Sequence, residues 1–105
     1  MTRAEPLNLY RITQFLEVAE QLSFTRAAQR LHMTQQALSV SVRRLEQELG
    51  VMLFDRTTRR VTLTHAGRIL RNGSRSLLMA SQEVTEQTRQ AAQLARVGDC
   101  QGLDR

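Results

Sequence analysis

The stretch TQQALSVSVRRLEQELG, Thr34 to Gly50, decides the fold. Leu38, Val42, Leu45 and Leu49 recur at helical spacing and mark a core face. Thr34 is a cap residue ahead of that helix, and Gly50 is a stop behind it. The opposite side shows Gln35, Gln36, Ser39, Val40 and Arg43. It carries no catalytic pair, no metal-ligand spacing and no long apolar stripe. By residue type alone it is either a solvated helix surface or a face that binds a polar partner.

Upstream, FTRAAQRL (Phe24 to Leu31) sets Phe24, Ala27, Ala28 and Leu31 on one side, with Ser23 as its cap. The Ala pair leaves room for another helix to come close. His32 and Met33 make a short turn into Thr34. Short helix, tight turn and longer helix form the helix-turn-helix pattern, although other helical hairpins share it. Further upstream, Asn8 caps a helix running to about Gln21, apolar at Leu9, Ile12, Phe15, Leu16, Ala19 and Leu22. That helix completes a three-helix core. Residues 1–7, containing the only proline, Pro6, read as a flexible tail.

After Gly50 the chain changes character. VMLF (Val51 to Phe54) and RVTLT (Arg60 to Thr64) are strand-like. DRTTR, Asp55 to Arg59, joins them as a polar, basic loop, which makes a hairpin wing. Thr64 then caps a long helix over 65–96, with Gly67 and Gly73 as its weak points. Leu70, Leu77, Val84 and Ala91 recur every seventh residue, beside a second line of Ala66, Gly73, Ala80, Gln87 and Leu94. Such a stripe is heptad-like. The helix is too long to pack wholly on this small core. Its spacing predicts pairing with a second copy through Leu70, Gly73, Leu77, Ala80, Val84, Ala91 and Leu94. Residues 97–105 read as a C-terminal tail. The expected fold is mainly α: a winged helix-turn-helix over 8–64, then a linker and dimerisation helix.

The 105 residues suit one domain, and 41% apolar content supports a small core. That core must be mostly aliphatic, because Tyr10, Phe15, Phe24 and Phe54 are the only aromatics. The net charge is +5 and all 15 basic residues are Arg. We read the absence of Lys first as codon bias in a GC-rich genome. Arg does suit bidentate recognition of phosphate and of guanine edges. A basic balance fits nucleic acid or an anionic membrane surface. Cys100 is the single cysteine, so no internal disulfide forms, which fits a reducing cytosol. No apolar run approaches the ~20 residues of a membrane span. MTRAEPLN has no signal core. These features predict a cytoplasmic protein without membrane association. His32 and His65 lack Cys or acidic partners at ligand spacing and read as turn and cap residues. Cys100 has no local His or Asp arrangement. We therefore expect no enzyme, no metal and no cofactor.

The run from Leu9 to Gly67 resembles the DNA-binding domain of LysR-type transcriptional regulators. The matching words are Leu9 and Phe15, SFTRAAQRL (23–31), TQQALS (34–39), RRLEQELG (43–50), LFDR (53–56) and VTLTHAG (61–67). The helix after Gly67 is similar to the family's linker helix, which carries dimerisation. Two departures stand out. Gln36 replaces the family's usual Pro, and Val40 stands where a basic or polar residue is common. The preferred DNA sequence is therefore expected to be this chain's own. The chain also ends where the family's two-lobed effector domain begins. It reads as an excised fragment or a naturally short protein, and a small-molecule effector enters only if that domain exists in the full protein.

The resemblance implies a sequence-specific regulator at the nucleoid, binding double-stranded DNA as a homodimer on an interrupted inverted repeat, with higher oligomers possible. It makes Thr34–Gly50 the recognition helix, which such proteins lay in the major groove. Gln35, Gln36, Ser39 and Val40 then face base edges, where Gln pairs with adenine and Val40 meets a thymine methyl. Arg43 reaches phosphate or guanine. Thr34 combines capping with a hydroxyl near the groove. Ser23, Thr25 and Arg26 are candidate phosphate contacts, Ser23 equally a cap alone. Arg59, then Arg60, are the candidates for a narrow minor groove, whose enhanced negative potential draws in Arg. Arg56 reads as structural, paired with Glu46 or Asp55. Two other functions remain open. One is an interaction module whose long helix blocks longer relatives through mixed dimers. The other is an RNA-binding winged helix, which the lack of an aromatic stacking face disfavours.

Overall fold

A computed structural model describes residues 7–57 and 59–100, with side chains to Ala95. The elements run α1 (Leu9–Gln21), α2 (Phe24–Leu31), α3 (Gln35–Leu49), β1 (Phe54–Asp55), β2 (Thr62–Leu63) and α4 (His65–Cys100). The chain divides into two units, 1–75 and 76–105.

In the first unit, local side-chain chemistry sets each helix start. Asn8 Oδ1 accepts from the amides of Tyr10 and Arg11. Ser23 Oγ accepts from Arg26 N, and Thr34 Oγ1 accepts from Ala37 N. Each cap satisfies amides that the first helical turn leaves open. The stops at Leu22, His32 and Gly50 all adopt the left-handed conformation, with φ of 50°, 56° and 73°. Gly50 does so without a Cβ penalty; Leu22 and His32 do not.

The core lies among α1, α2, α3 and the hairpin. Ile12, Phe15 and Val18 of α1 are buried, as are Ala27 and Ala28 of α2, where the two helices pack together. Leu38, Val42 and Leu45 close the core from α3, and Leu53 and Phe54 close it from the hairpin. The Phe54 ring lies 5.4 Å from Phe15 and 5.6 Å from Phe24, tilted and edge-on respectively. Aromatic pairs favour such offset geometry. Leu9, Leu22 and Leu49, expected on the apolar stripes, sit at helix ends and are exposed.

The strands are shorter than the sequence suggested. Only Phe54↔Leu63 and Asp55↔Thr62 pair, antiparallel. The physical reason is competition for donors. Val51 N donates to Glu46 O, while Leu53 N and Phe54 N both donate to Glu46 Oε2. Val51 and Leu53 thus hang from the end of α3 instead of joining the ladder, and Phe54 does both. Thr64 then starts α4: its Oγ1 accepts from Gly67 N and donates to Met52 O at 2.7 Å.

α4 is 36 residues long and runs past the expected end at residue 96 to Cys100. Val97 to Cys100 are therefore helical and not a loose tail. A helical Gly such as Gly98 costs only about 1 kcal/mol and does not stop a helix by itself. The expected tails at 1–6 and 101–105, and the surroundings of the Cys100 side chain, lie outside the described residues.

In the second unit, the remainder of α4 exposes Leu77, Val84 and Leu94, together with Ala80 and Ala91. In the first unit, Leu70 is half-buried, and a Cβ at Gly73 would meet nothing within 4 Å. The seam expected for pairing is thus open along most of its length.

Candidate nucleic-acid interface

The exposed side of α3 is lined by Thr34, Gln35, Gln36, Ser39, Val40 and Arg43, around an open concavity. Val40 is 60% exposed, a large exposure for an isolated valine flanked by amides and an arginine. Ser39 is half-buried and the others are exposed. The face expected from the sequence is therefore assembled on one side of one helix.

A second groove brings the start of α2 and the hairpin together. Thr25, Arg26, Gln35, Arg59 and Arg60 all line it. Residues separated by more than thirty positions share this surface because Phe54 ties the hairpin to Phe24 at the start of α2.

Hydrogen bonding gives these side chains distinct roles. Thr25 Oγ1 donates to Gln35 Oε1 at 3.1 Å. The single hydroxyl proton is then engaged, so Thr25 orients the Gln35 amide instead of offering a donor to phosphate. Gln35 keeps both amide protons and one lone pair for a base edge. Ser23 and Thr34 use their lone pairs as caps and retain their hydroxyl protons.

The hairpin is fixed by a buried carboxylate. Glu46 is 4% exposed. Besides the two amides it accepts on Oε2, its Oε1 lies 3.2 Å from Arg56 Nη1. That resolves the partner of Arg56 as Glu46 and not Asp55. The Arg56 guanidinium also stands over the Phe24 ring, 5.4 Å from its centre. Asp55 instead accepts from the Thr57 hydroxyl and the Thr57 amide, in that order of effect, and these hold its carboxyl below the ordinary aspartate range.

The arginines differ in whether an acid holds them. Arg11 pairs with Glu48, Arg30 with Glu17, Arg56 with Glu46 and Arg75 with Glu20. The side chains of Arg26, Arg43, Arg44 and Arg59 form no hydrogen bond or ion pair among the described residues. Four arginines without an ion pair thus border the polar face from α2, α3 and the hairpin, while on α4 Arg68 and Arg71 bond only neutral oxygens and Arg89 forms no ion pair among the described residues.

Two contributors were missed from the sequence. Gln14 sits within an apolar stripe yet is 3% exposed, and its Oε1 accepts from the Ser41 hydroxyl. Its Nε2 approaches Met33 Sδ at 3.6 Å. One side chain therefore ties α1 to both the turn and α3. Arg44, one turn after Val40, is exposed. The RR pair at 43–44 was the available signal.

Among the described residues no group of His, Cys, Asp and Glu could hold a metal, and no helix is long and apolar enough to cross a membrane.

Comparison with known proteins gives this geometry a family. The chain is 48% identical over 84 residues to the HTH-type transcriptional regulator XapR of Escherichia coli (strain K12), covering 80% of this chain and 29% of that protein. It is 48% identical over 73 residues to AlsR of Bacillus subtilis (strain 168), covering 70% and 24%. The chain thus spans under a third of the length of these curated relatives. Among solved structures it resembles BenM DBD in its catB site 1 DNA complex, with a TM-score of 0.79, 32% identity and coverage of 82% of this chain and 96% of that one. It also resembles Vibrio fischeri DarR in complex with DNA, with a TM-score of 0.82, 29% identity and coverage of 86% and 31%. The family model for bacterial regulatory helix-turn-helix proteins of the lysR type matches residues 9–68, from the start of α1 into α4. A winged helix-turn-helix with this match and these relatives belongs to the LysR family.

Proposed function

We propose that this chain binds double-stranded DNA sequence-specifically as the DNA-binding part of a bacterial transcriptional regulator. It works as a homodimer through α4 on an interrupted inverted repeat. It is not an enzyme, holds no resident cofactor, and acts in the cytoplasm at the nucleoid. The observation that carries this reading is the placement of unpaired arginines around an uncharged polar face. Arg26, Arg43 and Arg59 are uncompensated and surround the uncharged Gln35, Gln36, Ser39 and Val40.

That arrangement fits a duplex. Amides and hydroxyls read donor and acceptor patterns in the major groove, while arginines meet phosphates and the minor groove. The relatives solved as DNA complexes support it. In this reading Thr34, Gln35, Gln36, Ser39 and Val40 face bases, and Arg43 faces a phosphate or guanine. Ser23 and Arg26 meet the backbone. Arg59 and Arg60 enter the flanking minor groove. Thr25 acts through Gln35.

The test starts from duplexes selected out of a random pool at stated salt. Replacing Gln35, Ser39 and Arg59 together by Ala should weaken binding to the selected duplex by at least about a hundredfold, since each good base contact is worth ~1–3 kcal/mol. Binding to random duplex should fall far less. Unchanged binding to the selected duplex would sink the reading.

A further inference from the structure

We propose that the interface continues past α3 onto the first turn of α1, where Tyr10 and Arg44 hold a backbone phosphate of the duplex. The proposal rests on the duplex-binding reading above. A helix in the major groove has a phosphate backbone on each flank. One flank of α3 is served by Arg26 and Arg59, which share a groove with Gln35. The other flank carries a second groove, lined by Tyr10, Arg11 and Arg44. Ala37 and Val40 line both this groove and the front concavity of α3, so the two surfaces are continuous.

The chemistry of the second groove suits a phosphate. Arg44 is exposed, and its guanidinium has no hydrogen bond or ion pair among the described residues. Tyr10 is 72% exposed and its hydroxyl has no protein partner among them. The acid on this side is Glu48, which Arg11 holds at 2.8 Å. That pair is neutral, so Arg44 sets the local charge. A guanidinium fork and a phenolic donor both match phosphate oxygens. Gln14 and Ser41, hydrogen-bonded to each other, also line the groove and fix α1 against α3. The spacing of Tyr10 and Arg44 is therefore built in, and the recognition helix is held from both flanks.

The test uses the full chain, a selected duplex and a random duplex, with fluorescence anisotropy over a salt series. Arg44→Ala should weaken both duplexes alike, about five- to tenfold, and reduce the slope of log K against log salt by about 0.9. The ratio of selected to random affinity should stay unchanged. Arg44→Lys should restore the slope. Tyr10→Phe should weaken both duplexes about threefold with no change of slope, because a neutral hydroxyl releases no counterion. Arg44→Gln keeps the side-chain stem, and its slope loss in a protein with parental thermal unfolding separates contact from folding. Arg44→Ala with parental affinity and slope overturns the proposal. So does an altered selected-to-random ratio, which would assign Arg44 to a base edge. A parent chain that binds neither duplex overturns both readings, whereas a binding parent with a silent Arg44→Ala overturns this one alone.

Discussion

Glu46 holds the hairpin from below. Its two oxygens accept the amides of Leu53 and Phe54 and the guanidinium of Arg56, all while buried. Removing one member of a buried, hydrogen-bonded ion pair strands the others and typically costs ~3–5 kcal/mol. Glu46→Ala should therefore lower unfolding free energy by about that amount, measured by urea titration. A loss under ~1 kcal/mol would show that water replaces the carboxylate freely. Thr25 shows a different kind of single-residue effect. Its hydroxyl aims an amide that faces outward, so it acts on recognition through Gln35. Neither role can be read from a residue letter, because each depends on which groups the fold brings within about 3 Å.

At the level of elements, α4 meets the hairpin without room to spare. A Cβ on Gly67 would lie 2.1 Å from Leu53 O and 2.8 Å from a Leu63 methyl. The sequence presents Gly67 and Gly73 as equal weak points of one helix; the structure separates them. Gly67→Ala should destabilise by about 1–3 kcal/mol through overpacking against backbone. Gly73→Ala meets open space and should stabilise the monomer by up to about 1 kcal/mol through helix propensity. Thermal unfolding of both variants checks the pair, and equal shifts would refute the distinction. The same contrast explains what was legible. Caps at Asn8, Ser23, Thr34 and Thr64 are local chemistry, so the helix starts came from sequence. The stops at Leu22 and His32 use residues that rarely adopt positive φ, and only their position after each periodic run marked them. The strands shrank because Glu46, distant from them in pattern, took their amides. The polar face of α3 was legible because its periodicity is its own. The sharing of one groove by Thr25, Gln35 and Arg59 was not, because Phe54 packing creates it.

For the whole molecule, the exposed stripe along α4 is the feature that calls for a partner. Leu77, Val84 and Leu94 recur on the seam lines and are exposed. Leu77→Asp combined with Val84→Asp should give monomers by light scattering, since charge at seam positions opposes helix pairing. A double variant that stays dimeric would place the pairing surface elsewhere. The partition of the arginines has a further consequence at this scale. In the free protein, Arg26, Arg43, Arg44 and Arg59 form no ion pair among the described residues, and a net positive charge repels itself in the compact state. Added salt screens that repulsion and so favours the folded chain. The same salt weakens the duplex, because the counterions released on binding must be released into a more concentrated solution. Ionic strength therefore acts on folding and on operator occupancy with opposite signs, and a solution that best preserves this protein is one in which it lets go of DNA.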